Sequence, residues 1–249
     1  METLRTRTSR RARLLIADDH TMFSEALCAY LEKTFDVVGL VADGRTMLQE
    51  AVSLAPDVIV ADISMPLLNG LDAARRIREQ TSEVKFVFLT MLDDLNLAAA
   101  ALELGPVAFV LKRSGGLELL KAIEQILLGR SYLSPNLRVG DWVAAKARAR
   151  QFSRDLTKRQ RDVVQLFAEG RPMKEIAGIL RLSEKTVEFH KHHIMESFDI
   201  KTNADLVLFG LKHGLIAVPP EPFTVPANTQ STSSRSSDLR RPQPWGFSQ

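Results

Sequence analysis

Three aspartates, a threonine and a lysine are the residues of this 249-residue chain whose types and places could do chemistry together. The stretch LLIADDH, residues 14–20, runs four apolar residues into Asp18 and Asp19. A second apolar run, within VIVADISMP, ends in Asp62, KFVFLT ends in Thr90, and VAFVL is followed by Lys112. Burying an isolated carboxylate is costly and adjacent carboxylates repel, so a cation is expected among them. Three clustered carboxylates make a hard oxygen site suited to Mg²⁺, which keeps several waters and takes a few carboxylates plus a phosphate. Asp62 can also be a nucleophile, because carboxylates form acyl phosphates. Lys112, a mobile point charge, can pair with Asp62 and then with a phosphoryl oxygen. Thr90 can hydrogen-bond that same oxygen. Any one of Asp19, Asp62 or Thr90 alone would read as a helix N-cap. Five complementary groups at strand ends read instead as a site.

The elements that must position them alternate. RLLIA (13–17), VVGLV (37–41), VIVA (58–61), KFVFLT (85–90) and VAFVL (107–111) have the length and composition of strands. They are nearly all apolar, as parallel strands covered on both faces are. Amphipathic stretches at 22–33, 45–54, 71–80, 95–104 and 116–128 predict the helices between them. A five-fold β-α alternation implies a doubly wound sheet with right-handed crossovers. Ligands of such sheets bind beyond the carboxyl ends of the strands, where the five polar groups fall.

From residue 153 the strand signals vanish. Thr157 to Glu169 reads as a helix with a capping box formed by Thr157 and Gln160. Pro172 sits where a first helical position should be, opening Met173 to Leu180. Ser183 caps a helix to about Phe198, and Thr202 caps a fourth to about His213, with Gly214 as its stop. Four short helices joined by tight turns predict a compact bundle. Its middle, RPMKEIAGILRLSEKTVEFHKHHIMESF, is organised as helix, turn, helix. Ile176, Ile179 and Leu180 should pack on Val187, Ile194 and Phe198. Lys185, Glu188, Phe189 and His192 then lie opposite, with Lys191 nearby, and an exposed Phe189 among charges argues for something to contact.

Composition sets the bounds. Apolar residues make up 45% and charged residues 25%, an ordinary balance for a globular protein. The most apolar stretch, 97–111, is interrupted by Glu103, Gly105 and Pro106, so no membrane span is expected. The single cysteine, Cys28, excludes an internal disulfide and a cysteine-cluster metal site, and a cytoplasmic location is expected. The net charge of +3 is segregated: +4 in 1–13, −7 in 14–130, +5 in 131–218 and +1 in 219–249. An acidic first module joined to a basic second one suggests that the second meets a polyanion. The expected organisation is a disordered basic tail (1–12), an α/β domain (13–130), a linker (131–152), a helical domain (153–217) and a disordered tail (218–249) rich in Pro, Ser, Thr and Gln.

The first domain resembles the receiver domain of two-component response regulators, through Asp18-Asp19, the run DISMP beginning at Asp62, Thr90, Phe109 and Lys112. The resemblance implies a flavodoxin-like sheet in the order 2-1-3-4-5. It implies phosphorylation of Asp62 by a sensor histidine kinase, with Mg²⁺ held by Asp18, Asp19, Asp62 and the backbone carbonyl of Ser64. Thr90 and Lys112 would be drawn towards the phosphoryl group and Phe109 would turn inward, biasing the surface of helix 4, strand 5 and helix 5 between two states. Phe109 also reads as a plain core aromatic. His20, next to the acid pair, reads as a surface residue.

The second domain resembles the LuxR-type DNA-binding domain joined to receivers in the NarL/FixJ group. Leu156-Thr157, Arg159, Glu169-Gly170, Lys174-Glu175-Ile176-Ala177, Leu182-Ser183, Lys185-Thr186-Val187, His190, Ile194 and Gly214-Leu215-Ile216 carry the likeness. It implies a recognition helix at 184–198 lying in the major groove of double-stranded DNA. Lys185, Thr186 and Lys191 would sit near phosphates and Glu188, Phe189 and His192 near base edges, while His190 would be packed. Val207, Leu208 and Leu211 would form the contacts of a homodimer on DNA. RNA polymerase is a further expected partner.

Three departures bear on this resemblance. Gln160 stands where Glu is usual, Asp199 replaces a Gly after the recognition helix, and Glu188 puts an acid where relatives carry basic or neutral residues. The expected function is a phosphorylation-switched transcription factor, not an enzyme, whose receiver covers or misplaces the recognition helix until phosphorylated. One alternative is a phosphorylation-independent DNA binder using its receiver as a dimerisation module. Another, a phosphatase or phosphotransferase, would need a second acid two residues after Asp62, where Ser64 stands.

Overall fold

A computed structural model describes residues 10–91, 94–137, 145, 147 and 156–216. The expectations for the two tails and most of the linker therefore fall outside the described residues. The first domain runs β1 (Arg13–Ala17), α1 (Thr21–Leu31), β2 (Asp36–Val41), α2 (Gly44–Leu54), β3 (Val58–Asp62), α3 (Gly70–Gln80), β4 (Lys85–Thr90), α4 (Leu95–Leu102), β5 (Ala108–Leu111) and α5 (Gly116–Leu127). These match the apolar runs and amphipathic stretches to within a residue or two. The strands are parallel, in the order β2-β1-β3-β4-β5, with a further short strand beyond β5. The sixth strand, β6 (Tyr132–Leu133), lies where the sequence predicts linker and pairs with Ala108 and Phe109.

Alternation along each strand sends side chains to two separate cores. Leu15, Ile59, Phe86, Phe88 and Phe109 face one side, packed on Met47 of α2, Ile77 of α3 and Ala98 of α4. Leu14, Ile16, Val60, Val87 and Val110 face the other, packed on Leu31 of α1 and Ile123 of α5. Each fully buried side chain of this size contributes on the order of 1.5–3 kcal/mol. Strand β3 is buried along its whole length, at the centre of the sheet, and carries Asp62 at its carboxyl end.

The second domain runs α6 (Lys158–Ala168), α7 (Met173–Leu180), α8 (Glu184–Ser197) and α9 (Asn203–Lys212). The capping box is present: Gln160 N–H donates to Thr157 Oγ1, and Thr157 N–H donates to Gln160 Oε1 at 2.8 Å. Pro172 is the N-cap of α7 rather than its first helical residue. Asp199 adopts a left-handed φ of 53°, the conformation a glycine would take without strain. The helical core gathers Val163, Val164, Ile176, Leu180, Val187, Ile194 and Leu206. Gly210 lets α9 approach α6 closely, since a Cβ there would lie 3.1 Å from that of Ala168. The described residues belong to one compact unit, and Leu67 of the first domain packs against the helical core. Among the described residues, no helix is long and apolar enough to cross a membrane.

Candidate functional sites

The sheet brings the predicted acids and lysine together. Lys112, in the turn after β5, places Nζ 2.6 Å from Asp62 Oδ2 and 2.8 Å from Asp18 Oδ2. Its ammonium also lies 4.9 Å from the centre of the Phe23 ring on α1. Asp18, Asp62 and Thr90 are buried, while Asp19 is exposed at the rim. Ser64 N–H donates to Asp62 Oδ1 at 3.2 Å, fixing the carboxylate from the other side.

Burial pushes the Asp62 carboxyl up, Asp18 adds to this, and Lys112 pulls the other way without overcoming it. Burial alone would lower the Lys112 ammonium, but Asp62 and Asp18 outweigh it and hold the pKa above the usual lysine value. The pair is therefore poised: a charged lysine meets the Asp62 carboxylate, which burial makes uncomfortable. Ligand atoms of Asp18, Asp19, His20 and Asp62 lie within 4.8 Å of one another. His20 reads from sequence as a surface residue. Its ring is indeed more than half exposed, but Nδ1 lies 3.0 Å from Asp19 and 3.2 Å from Asp18. Only its adjacency to the acid pair could have signalled this.

Phe109 is fully buried among the core residues of β5 and pairs in register with Phe88. Such burial is what a plain core aromatic shows.

In the second domain, Ser183 caps α8 through the Thr186 N–H. Lys185, Glu188, Phe189 and His192 are all exposed, Phe189 at 65%. Their spacing of 3, 4 and 7 puts them on one face, opposite buried Val187 and Ile194. Thr186 is half-buried, its hydroxyl 2.8 Å from that of Ser183. Lys191 is turned to the edge of the core, with Nζ 4.3 Å from the centre of the Phe167 ring. His190 is half-buried, and burial lowers its pKa. On α9, Leu208 is 61% exposed and Val207 and Leu211 are half-buried beside it, forming one apolar stripe.

Of the two expectations, that the first domain covers or misplaces the recognition helix, covering is not what this structure has: Lys185, Glu188, Phe189 and His192 stay exposed. The first domain touches α6 and the end of α7, through Asp72 to Arg161, Arg76 to Asp162 and Arg45 to the Ile179 carbonyl. Among the described residues, no hydrogen bond or ion pair joins α8 to the first domain. The recognition face stays open because the polar side of α6, not α8, supplies the complementary charges. Nothing in the spacing of Arg161, Asp162 and Gln165 marks them as buried; they read as a solvated face.

Comparison with known proteins agrees with this architecture. Residues 14–124 match the response regulator receiver domain, and residues 154–209 match the bacterial regulatory proteins of the luxR family. The transcriptional regulatory protein MctR of Rhizobium johnstonii is 32% identical over 208 residues, spanning 82% of this chain and 95% of that protein. The oxygen regulatory protein NreC of Staphylococcus haemolyticus is 34% identical over 214 residues, spanning 82% and 99%. A structure of the response regulator RcsB of Salmonella typhimurium aligns with a TM-score of 0.57 at 24% identity, over 82% of this chain and 99% of that one. RcsB of Salmonella enterica serovar Typhimurium, solved bound to promoter rprA, aligns with a TM-score of 0.53 at 24% identity, over 80% and 98%. The two structures share the fold. The chain belongs to the response regulators that join a receiver domain to a LuxR-type helix-turn-helix, a family of DNA-binding transcriptional regulators.

Proposed function

We propose that Asp62 accepts a phosphoryl group from a sensor histidine kinase and that this modification controls dimerisation and DNA binding. The observation that carries the reading is the Lys112 ammonium, held within 2.8 Å of both Asp62 and Asp18 at the carboxyl edge of the sheet. An Asp62 oxygen would attack phosphorus as the bond from phosphorus to the kinase histidine breaks. Lys112 can then follow the new phosphoryl oxygens on its flexible stem, and the Thr90 hydroxyl can donate to one of them. The donor set fits Mg²⁺: Asp18, Asp19 and Asp62 offer hard oxygens, and among the described residues buried Asp18 Oδ2 has only the ion-pair approach of Lys112 to satisfy it. These residues and the Ser64 carbonyl would hold the ion, which would neutralise the clustered charge when bound.

In the helix-turn-helix, Lys185 and Thr186 at the start of α8 would meet phosphates, and Lys191 would do so only after leaving Phe167. Glu188, Phe189 and His192 would face base edges, where Glu188 can accept from a cytosine amino group and Phe189 can meet a thymine methyl. The stripe of Val207, Leu208 and Leu211 would pair two copies on two half-sites. A second reading, a regulator that binds DNA without phosphorylation and uses its receiver for dimerisation, is favoured by the open recognition helix.

Incubation with acetyl phosphate and Mg²⁺, read by intact mass and by gel shift on genomic fragments, separates the two. Phosphoryl uptake lost in Asp62→Asn, with DNA binding strengthened only in the phosphorylated wild type, supports the first reading. Equal DNA binding by both proteins supports the second. Uptake that persists in Asp62→Asn refutes the acceptor assignment.

A further inference from the structure

The two domains meet over a buried polar seam, and that seam is built on the segment that follows Asp62. Gln165 of α6, 1% exposed, accepts from the Asn69 N–H at 2.8 Å and donates to the Met65 carbonyl at 3.0 Å. Glu169 accepts from the Leu67 N–H at 3.0 Å. Three backbone groups within five receiver residues thus take their partners from the other domain. Buried backbone groups rarely go without partners, so this loop conformation depends on docking.

The same loop is tied to Asp62 with no slack. Ser64 N–H bonds the Asp62 carboxylate, and Gly70 N–H bonds the Ile63 carbonyl at 2.8 Å. At Gly70 even a Cβ would lie 2.1 Å from the Asp62 carbonyl oxygen. Between these anchors Leu67 holds a left-handed φ of 66°, strained for a branched side chain, while its side chain packs in the helical core. Strain of this kind persists only where the surroundings enforce it. Ion pairs complete the seam, with Arg161 Nε 2.9 Å from Asp72 Oδ1 and Arg76 joined to Asp162. Buried pairs of this kind specify one geometry while adding little net stability, so a seam made of them can be undone.

Phosphorylation would have to disturb this arrangement. Both Asp62 oxygens are committed, Oδ1 to the Ser64 N–H and Oδ2 to Lys112. Converting either to the bridging oxygen of an acyl phosphate displaces one partner. Lys112 can follow on its own side chain, but the Ser64 amide moves only with the loop.

We propose that the clamp of Gln165 and Glu169 on residues 65–69 is the element that couples the state of Asp62 to the helix-turn-helix. The clamped loop is the unphosphorylated form. Phosphorylation loosens the clamp and frees the helical domain to be placed on DNA, rather than uncovering a recognition helix that is already open. Coupling is reciprocal, so weakening the clamp makes Asp62 a better acceptor. This rests on the assignment of Asp62 as the phosphoacceptor.

The test is hydrogen exchange on the full chain over residues 63–72 and 158–169, before and after acetyl phosphate with Mg²⁺. It is run for wild type, Asp62→Asn, Gln165→Ala and the shape-conserving Glu169→Gln, each first shown to unfold cooperatively. In uptake, an Asp62 oxygen bonds phosphorus and acetate leaves. Phosphorylated wild type should exchange faster in both segments. Gln165→Ala should do so without phosphorylation and take up phosphoryl to a ratio of phosphorylated to unphosphorylated protein about 3- to 10-fold higher at equilibrium, with Glu169→Gln shifted the same way by less. Phosphoryl uptake that leaves both segments protected, or uptake unchanged in both clamp variants while Asp62→Asn takes up none, overturns the coupling alone. Uptake by Asp62→Asn overturns the acceptor assignment and the coupling together.

Discussion

Replacing Lys112 by methionine tests the electrostatic logic of the receiver site most directly. Methionine keeps the length and apolar stem of the side chain and removes only the ammonium. Left behind are Asp18 and Asp62, whose side chains are 1% and 5% exposed, with carboxylate oxygens within 4.8 Å of each other. Removing one member of a buried pair and stranding the other typically costs about 3–5 kcal/mol. Against a domain stability of about 5–15 kcal/mol, that is a large share. It corresponds to a fall of roughly 6–20 °C in Tm for a chain of this size. The loss should depend on pH in a definite sense. Without the lysine, the Asp62 carboxyl, already raised by burial, rises further above its unfolded value. Its native form then binds a proton before its unfolded form does, so stability grows as pH falls through the native pKa and shrinks as pH rises through it. Mg²⁺ should protect the variant more than wild type, since no ammonium competes for the carboxylates; at 100 times its Kd it adds about 2.7 kcal/mol. Adding Asp62→Asn should restore part of the loss, with a coupling of about 0.5–3 kcal/mol in the double-mutant cycle. Urea unfolding at pH 5 and pH 8, with and without Mg²⁺, measures all four quantities. A loss below about 1 kcal/mol at pH 8, or a double variant no more stable than Lys112→Met, would refute the reasoning.

Three further outcomes follow from the geometry. Gly70→Ala should destabilise the receiver by about 3 kcal/mol in urea unfolding, because the new Cβ meets the Asp62 carbonyl oxygen at 2.1 Å and backbone cannot yield cheaply. Lys185→Ala should weaken DNA binding across all sequences and lower the slope of log K against log salt by about 1, whereas Phe189→Ala should weaken binding to the preferred site and leave the slope unchanged, both read by salt titration of binding. Leu208→Asp, at a residue 61% exposed, should leave unfolding within about 0.5 kcal/mol of wild type while abolishing the two-copy complex in gel shifts.

Most of the receiver was legible because parallel strands buried on both faces must be nearly all apolar, and RLLIA, VIVAD and KFVFLT are. The polar residue ending each run then had one place to be, and Asp18, Asp62, Thr90 and Lys112 are there. What stayed hidden depends on partners far away in sequence. Gln165 and Asp162 are buried by receiver residues nearly a hundred positions earlier, and a helix face buried through polar contacts has no apolar signature. The cap of α8, by contrast, is a local pattern, and Ser183 is where that pattern places it. Lys191 rests on Phe167 for a simpler reason. On a helix it falls about 100° from His192, towards the packed side, where an ammonium can rest on Phe167.

The two-residue strand β6 also sets where the receiver can be cut. Tyr132 N–H and Ser134 N–H bond the carbonyls of Val107 and Phe109, so this short segment seals one border of the sheet. A fragment ending at Arg130 would bare those carbonyls along an apolar strand, a template for pairing with another molecule. Such a truncation should self-associate in solution, and extending it to Leu137 should return it to single molecules.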